Sequence, residues 1–452
     1  MTKLDQNSPS SRDKVLIISY FFPPLRAAGA ARIVGQIKYL VQAGWDISVI
    51  TVAASPDIES DLTTLNKLPA GVDVIRTRSF EIGWLLNAVR GRSRQTTSAD
   101  NGDQESASRG ISSLIKLPLR IVYRICKFPD KWVGWLPPLL VTTWNTIREG
   151  RHSVVISTSP PHSSHLVPAF LKTFLGFRWI ADFRDGWTAP PYRGIDKGLG
   201  ARTARILESF VLRRCDRIIA NTDGNKSELL ATFSFLDDKK ITVITNGFDI
   251  KTPLQDVDIL PDETDCDIMH LGEVYSQVFD LLIYPLASIK QRDPARLPRI
   301  FMYGNLSSEI LTRFREAGLA DHVISKGWVA WDKSIHIMRR ATSLFLMLPH
   351  TRGGSTTVPS KLYAYLFSGR PIMLIGPPGD AATLVQTVGK GMAITDKDPD
   401  KIAEGMLSFV DAVRQGVYAG PIDHNKLRPY TMEQTAQRLN SLLTETLGRA
   451  ST

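Results

Sequence analysis

Apolar residues along this chain fall in short, nearly unbroken runs, such as Val15-Leu16-Ile17-Ile18, Ile47-Ser48-Val49-Ile50-Thr51-Val52 and Val154-Val155-Ile156. A run that is apolar at successive positions describes a strand covered on both faces, as in a parallel sheet flanked by helices. Between the runs, apolar residues recur at helical spacing. The first series predicts strands at 15–18, 47–52, 72–77, 154–157, 178–181, 217–220 and 241–244, with helices over 30–41, 164–174 and 201–213. A second series starts at Asp267-Ile268-Met269-His270-Leu271. It predicts strands at 299–303, 323–324, 344–348 and 372–375, and helices over 279–290, 308–317, 333–340, 362–367, 383–388, 402–413 and 432–447. The expected class is α/β, with two doubly wound Rossmann-like domains facing across a cleft at the carboxyl ends of their strands.

This pattern divides the chain into a disordered N-terminus at 1–13, a first domain at 14–250, a linker at 251–265, a second domain at 266–430 and a C-terminal helix at 431–452. A mobile basic insertion, 91–131, interrupts the first domain. Its polar start, 91–108, carries Ser, Thr, Asp and Gly, and Lys116, Arg120, Arg124 and Lys127 then recur on one helical face beside Ile115, Leu119 and Ile125. That composition suits a segment lying on an anionic membrane, and equally a core-packed helix with a solvated basic face.

Net charge, +10, points to anionic partners. A nucleic acid is not expected among them, because no aromatic-rich basic motif is present. Three cysteines, Cys126, Cys215 and Cys266, are too few and too scattered for a disulfide framework or a zinc site, so no metal and no cofactor are expected. Apolar runs stay shorter than a bilayer span and the first residues lack the apolar core of a signal peptide. The expected location is cytoplasmic, meeting membranes from the side.

The densest chemistry lies at Gly353-Gly354-Ser355-Thr356-Thr357-Val358-Pro359-Ser360-Lys361. A glycine pair opens a turn, Thr356 or Thr357 can cap the following helix, and Pro359 fits its first turn. The free amides would carry the positive end of the helix dipole, and Lys361 adds a full charge suited to a diphosphate. Arg352 and Ser355 stand beside it. A capped surface helix with a solvated lysine has the same sequence.

In the first domain, Gly29 opens a loop that would let backbone approach the cleft, or serves a tight turn. Asp182, Arg184 and Asp185 follow a strand, where two carboxylates around a guanidinium can orient a hydroxyl, take a proton, or form a structural salt bridge. His162 and His165 also follow a strand end.

Six segments together resemble the GT-B glycosyltransferases of the family 4 type, the group that builds bacterial surface polysaccharides. They are Tyr20-Phe21-Phe22-Pro23-Pro24 with Gly29-Ala30-Ala31-Arg32, Ser157 to His162, Ala181 to Trp187, Thr245 to Asp249, His270-Leu271-Gly272, and Val358 to Tyr363 with Gly369-Arg370-Pro371. The resemblance implies sugar transfer, with retention, from a nucleotide-diphosphate sugar to a lipid-linked or polysaccharide acceptor. It implies donor binding by Gly29, Gly272, Arg352, Gly354, Ser355, Thr356, Thr357 and Lys361, and catalytic-centre roles for Asp182, Arg184 and Asp185. The chain departs from the family at four positions. Thr356 and Ala364 stand where two glutamates grip sugar and ribose, and Glu273 and Val278 replace a basic pair. A catalytically silent scaffold partnering an active transferase, or a sugar-nucleotide epimerase, are the competing expectations.

Overall fold

The computed structural model describes residues 13–25, 28–53, 55, 58, 60–80, 129–150, 152–190, 198–249 and 266–448. The basic stripe Lys116, Arg120, Arg124 and Lys127, with most of the 91–131 insertion, the 251–265 linker and all but the last residue of 1–13, lies outside the described residues.

The first series forms a seven-stranded sheet from β1 (Lys14–Ile18), β2 (Asp46–Val52), β3 (Asp73–Thr77), β4 (Val154–Thr158), β5 (Arg178–Phe183), β6 (Arg217–Ala220) and β7 (Ile241–Val243), in the order β3-β2-β1-β4-β5-β6-β7. Every pairing is parallel. Its helices are α1 (Ala28–Gln42), α2 (Leu136–Gly150), α3 (Leu166–Leu171), α4 (Leu199–Arg214) and α5 (Asp223–Thr232). The second series gives β8 (Ile268–Leu271), β9 (Ile300–Tyr303), β10 (Val323–Gly327), β11 (Leu344–Met347), β12 (Ile372–Ile375) and β13 (Gly391–Ile394), in the order β10-β9-β8-β11-β12-β13, again all parallel. With it run α6 (Asp280–Arg292), α7 (Ser308–Glu316), α8 (Trp331–Arg340), α9 (Arg352–Ser355), α10 (Ser360–Ser368), α11 (Asp380–Thr387), α12 (Pro399–Arg414), α13 (His424–Leu427) and α14 (Met432–Thr446).

Apolar runs without alternation are explained by burial on both faces. On β1, Leu16 and Ile18 join one core while Val15 and Ile17 join the core on the opposite face. On β12, Ile372 and Leu374 face one way and Met373 and Ile375 the other. Five elements have no counterpart in the sequence reading: α2, whose buried side is Leu139, Thr143 and Ile147, the polar α5, the four-residue α9 and α13, and the short β13. All but α2 offer too few apolar positions for a period to show; α2 has Leu136, Leu139, Leu140, Trp144 and Ile147 at helical spacing.

The C-terminal helix α14 returns to the first sheet. Leu439, Leu442 and Leu443 pack with Ile33, Val34, Ile37 and Leu40 of α1. Trp45 Nε1 donates to Asn440 Oδ1 at 2.6 Å. Gly35 makes the approach possible, since a Cβ there would sit 2.6 Å from Met432 Sδ. The turn is fixed by Phe248, which donates its amide to Tyr430 and accepts from the Met432 amide.

Burial of this face contributes directly to stability. Leu443→Ala, at a fully buried position, is expected to cost about 2–5 kcal/mol, read as a lower midpoint in urea unfolding followed by tryptophan fluorescence. An unchanged midpoint would mean that α14 contributes nothing to the first core.

Candidate active site

Both sheets reverse strand order once, between β1 and β4 in the first and between β8 and β11 in the second. Loops leaving the carboxyl ends at such points form ligand crevices.

In the first sheet, the centre is a buried ion pair. Arg32 Nη2 lies 3.2 Å from Asp182 Oδ1, with side chains 3% and 2% exposed, and also donates to the Ile244 carbonyl at 3.0 Å. The other oxygen of Asp182 accepts from Thr158 Oγ1 at 2.8 Å. Both carboxylate oxygens are thus engaged inside the protein. Asp182, expected beside the acceptor, is a framework group joining α1, β4 and β5.

Arg184 and Asp185 stand further out, half-buried. A Cβ on Gly29 would lie 2.3 Å from Arg184 Nη1, so the glycine makes room for a guanidinium of this chain. Arg184 Nε is buried without a partner. Burial and the neighbouring Arg32 charge lower the basicity of Arg184. Burial raises the Asp185 carboxyl above the usual range, against the pull of Arg184 and Arg32. The loop beyond is held by Glu208, which accepts from Thr188 and from the Trp187 backbone and is pushed up to about 7 by burial.

His165 is buried, with Nδ1 2.7 Å from Ser157 Oγ. His162 stacks on Trp187, centroids 5.2 Å apart and planes 8° off parallel. Burial lowers both, His162 to about 3. They stay neutral at ordinary pH.

In the second sheet, β8 ends at Gly272, whose φ of +104° favours glycine and whose missing Cβ would lie 3.1 Å from Lys361 Nζ. Lys361 Nζ donates to the Glu273 carbonyl at 2.9 Å and lies 3.3 Å from His270 Nε2. Burial brings its basicity down to about 8. Gly272 and Lys361, distant in sequence, therefore form one feature.

The cradle itself differs from its expected form. Gly353 and Gly354 lie inside α9, capped by Thr351, whose Oγ1 accepts from the Gly354 amide at 3.0 Å. The α10 N-cap is Pro359 and no side chain caps it. Neither Thr356 nor Thr357 is the cap, and Pro359 precedes the first turn. The hydroxyls of Ser355 and Thr356 turn back to the carbonyls of Arg352 and Gly353. Thr357 is half-buried beside them. Ala364 is 2% exposed and borders Phe248, Ile335, Met338, Arg339 and Phe367.

The two halves touch here. Thr222 Oγ1 donates to the Thr356 carbonyl at 2.7 Å, the Gly224 amide donates to Asp380 Oδ2 at 3.0 Å, and Asn246 Nδ2 donates to the Val358 carbonyl at 3.4 Å. Arg352 pairs with Glu228 and donates to Thr232 Oγ1. Its charge, expected on a donor, bridges to α5 in this arrangement. Tyr275, after β8, is near enough to Asp185 for that carboxylate, after burial and Glu273, to help raise its phenol to about 12.

Sequence reasoning missed the supporting groups His270, Tyr275, Thr222, Glu228 and Asp380. The one signal was His270 within the His270-Leu271-Gly272 segment; nothing local marks the others. Among the described residues, no group of three or more His, Cys, Asp or Glu is arranged to hold a metal ion.

Residues 28–247 match the family described as glycosyl transferase 4-like domain. Sucrose-phosphate synthase from Thermosynechococcus elongatus superposes with TM-score 0.64 at 14% identity, over 97% of this chain and 100% of that one. Anabaena HepE in complex with UDP-glucose gives 0.60 at 14% identity over 96% and 99%. A putative UDP-N-acetylglucosamine 2-epimerase from Listeria monocytogenes gives 0.55 at 10% identity over 98% of each. No curated protein matches the sequence significantly. The chain has the GT-B fold and carries a glycosyl transferase 4-like domain in its first half.

The two aspartates differ in what they support. Asp182→Ala strands the buried Arg32 charge and is expected to cost about 3–5 kcal/mol. Asp185 has a raised folded-state value, so its ionised form costs stability above the unfolded value and the cost fades as pH falls through the folded one. Asp185→Asn should therefore leave stability at pH 7 unchanged or slightly higher. Urea unfolding of both variants checks this, and equal losses would refute the division.

Proposed function

We propose that this protein is a glycosyltransferase that moves a sugar from a nucleotide-diphosphate donor to a hydroxyl of a lipid-linked or polysaccharide acceptor, with retention at the anomeric carbon. The carrying observation is Lys361 beside the uncapped amino terminus of α10, against a Gly272 that leaves it space. First-turn amides that no side chain caps and a cation one residue in suit a leaving diphosphate. The family match over 28–247 supports the transfer class. Retention and the surface-polysaccharide setting rest on the resemblance of the motifs.

The chain's charges suggest how the reaction runs. Glu273 occupies a position where the family has a cation, so a second positive group is drawn from the other side of the cleft. Arg184, with an unpartnered Nε, fits that role. As the sugar–phosphate bond lengthens, charge building on the leaving phosphate is met by the α10 amides, Lys361 and Arg184. In a same-face displacement that phosphate can take the acceptor's proton. Asp185, facing Tyr275, is assigned to placing the acceptor hydroxyl. This reading calls for no cofactor besides the donor and puts the enzyme in the cytoplasm, where a lipid-linked acceptor would bring it to the membrane face. No described helix is long and apolar enough to cross a membrane.

Ala364 favours a second reading, a silent scaffold, because it withdraws the carboxylate that grips ribose. Calorimetry across a panel of nucleoside diphosphates separates the two. The transferase is expected to bind at least one, and Lys361→Ala to weaken that affinity about tenfold or more, the loss of a charge-assisted contact. Absence of all binding would favour the scaffold. Conversion of a sugar nucleotide without acceptor would favour an epimerase.

A further inference from the structure

We propose that His270 is a positioning residue for Lys361: a neutral imidazole that accepts one ammonium hydrogen and thereby aims another at the diphosphate. The inference rests on the donor-binding reading above and adds a residue to it.

His270 is 2% exposed, and its Nδ1 lies 3.0 Å from the Phe345 carbonyl. A carbonyl only accepts, so the Phe345 contact calls for the hydrogen on Nδ1 and leaves Nε2 its lone pair, the tautomer taken in this proposal; the Gly272 and Glu273 carbonyls also lie against the imidazole. Lys361 Nζ, 3.3 Å from Nε2, is a donor without a lone pair when charged. The contact is therefore ammonium to imidazole. The Glu273 carbonyl takes a second hydrogen. The third has no acceptor among the described residues, and it belongs to a side chain in the uncapped first turn of α10.

Few other charges face this pair. Glu273, after β8, favours the ammonium. On β11, Phe345 presents a carbonyl and a ring 5.1 Å from the imidazole, and neither titrates. On α10, Tyr365 exchanges hydrogen bonds with the Leu271 backbone, and burial keeps its phenol protonated. Burial and the Lys361 charge hold His270 down at about 3, so it does not compete for the lysine's proton. Lys361, at about 8, loses its charge as pH rises through that value, whereas an ordinary lysine would keep it to above ~10.

Affinity for inorganic pyrophosphate and for UDP and GDP, measured by calorimetry between pH 6.5 and 9.5, ~0.5 units apart, reads this directly. Wild-type affinity is expected to fall above about pH 8, and Lys361→Arg should remove that limb. His270→Asn keeps an N–H for Phe345 but retracts from Lys361. It should move the limb down by about one unit, a tenfold loss on the alkaline side. His270→Gln carries a carbonyl toward the Nε2 position and should restore the wild-type limb. If Asn and Gln variants both titrate like wild type, His270 is core packing only and the proposal fails.

A second measurement separates this failure from that of the function. The ε-carbon resonance of Lys361 in free protein carrying carbon-13-labelled lysine, assigned by its loss in Lys361→Arg, should titrate near 8 in wild type, and lower in whichever His270 variant lacks the acceptor. Equal values in wild type and in the His270→Asn variant overturn the pairing whether or not any diphosphate binds. A value near 8 with no diphosphate bound at any pH retains the pairing and discards the donor reading.

Discussion

The carboxylate of Asp182 holds the first half of the cleft together. One oxygen takes Arg32 from α1 and the other takes Thr158 from β4, while its backbone carbonyl takes the amide of Ser159. Arg32 extends the tie to the end of β7 through Ile244. Isolating two charges from water is costly, and the arrangement persists because each oxygen has a donor. Its dividend is positional. Asp182 closes β5, so fixing it fixes where the chain emerges two residues later with Arg184 and Asp185. Arg32 retains buried donors without partners, and its field reaches both of those side chains, opposed there by that of Asp182.

On the other half, the corresponding anchor is a cation set against a glycine. Lys361 can lie across β8 only because position 272 has no Cβ and a positive φ. The contacts at the mouth between the strand ends are polar, a hydroxyl to a carbonyl, an amide to Asp380, and an Arg352–Glu228 pair with the arginine well exposed, while apolar packing joins the halves at Phe248 on Phe367 and at α14 on α1. Exposed polar contacts of this kind contribute little each. The halves are thus tied by apolar packing at the back of the cleft and by polar contacts at its mouth.

The sheets were legible in the sequence because burial on both faces writes itself as unbroken apolar runs. The helices were legible in proportion to their apolar side. α1 and α14 stand out, while α5, with Asp223, Gly224, Asn225 and Lys226 in its first turns, reads as a loop until Thr222 is seen capping it. For the candidate site, motifs named residues at the strand ends, and the structure sets Gly272 and Lys361 side by side. Partnership was not legible. Nothing in the order of residues says that Gly29 makes room for Arg184, that Arg352 reaches Glu228, or that His270 rather than solvent receives Lys361. Those relations depend on how strand ends converge, which is a property of topology. The threonine caps failed for a similar reason: Thr351 already closes α9, and that short helix takes up the residues that would have formed the loop.

Ala364 bears on how the site came to differ from its relatives. A glutamate at that position would have Phe248, Ile335, Met338 and Phe367 as neighbours, with Arg339 as the charged group bordering it. A carboxylate placed there would be drawn to that guanidinium or held against apolar surface, and either is a poor arrangement for gripping a ribose. The surroundings are thus suited to the alanine. The same logic applies at position 273, where an acidic residue lends its backbone carbonyl to Lys361 and its charge to keeping that lysine protonated. A cation in its place would repel Lys361 and lower its basicity further. The departures from the family pattern are therefore coupled to the groups that remain, with Lys361 and the groups that position it at their centre.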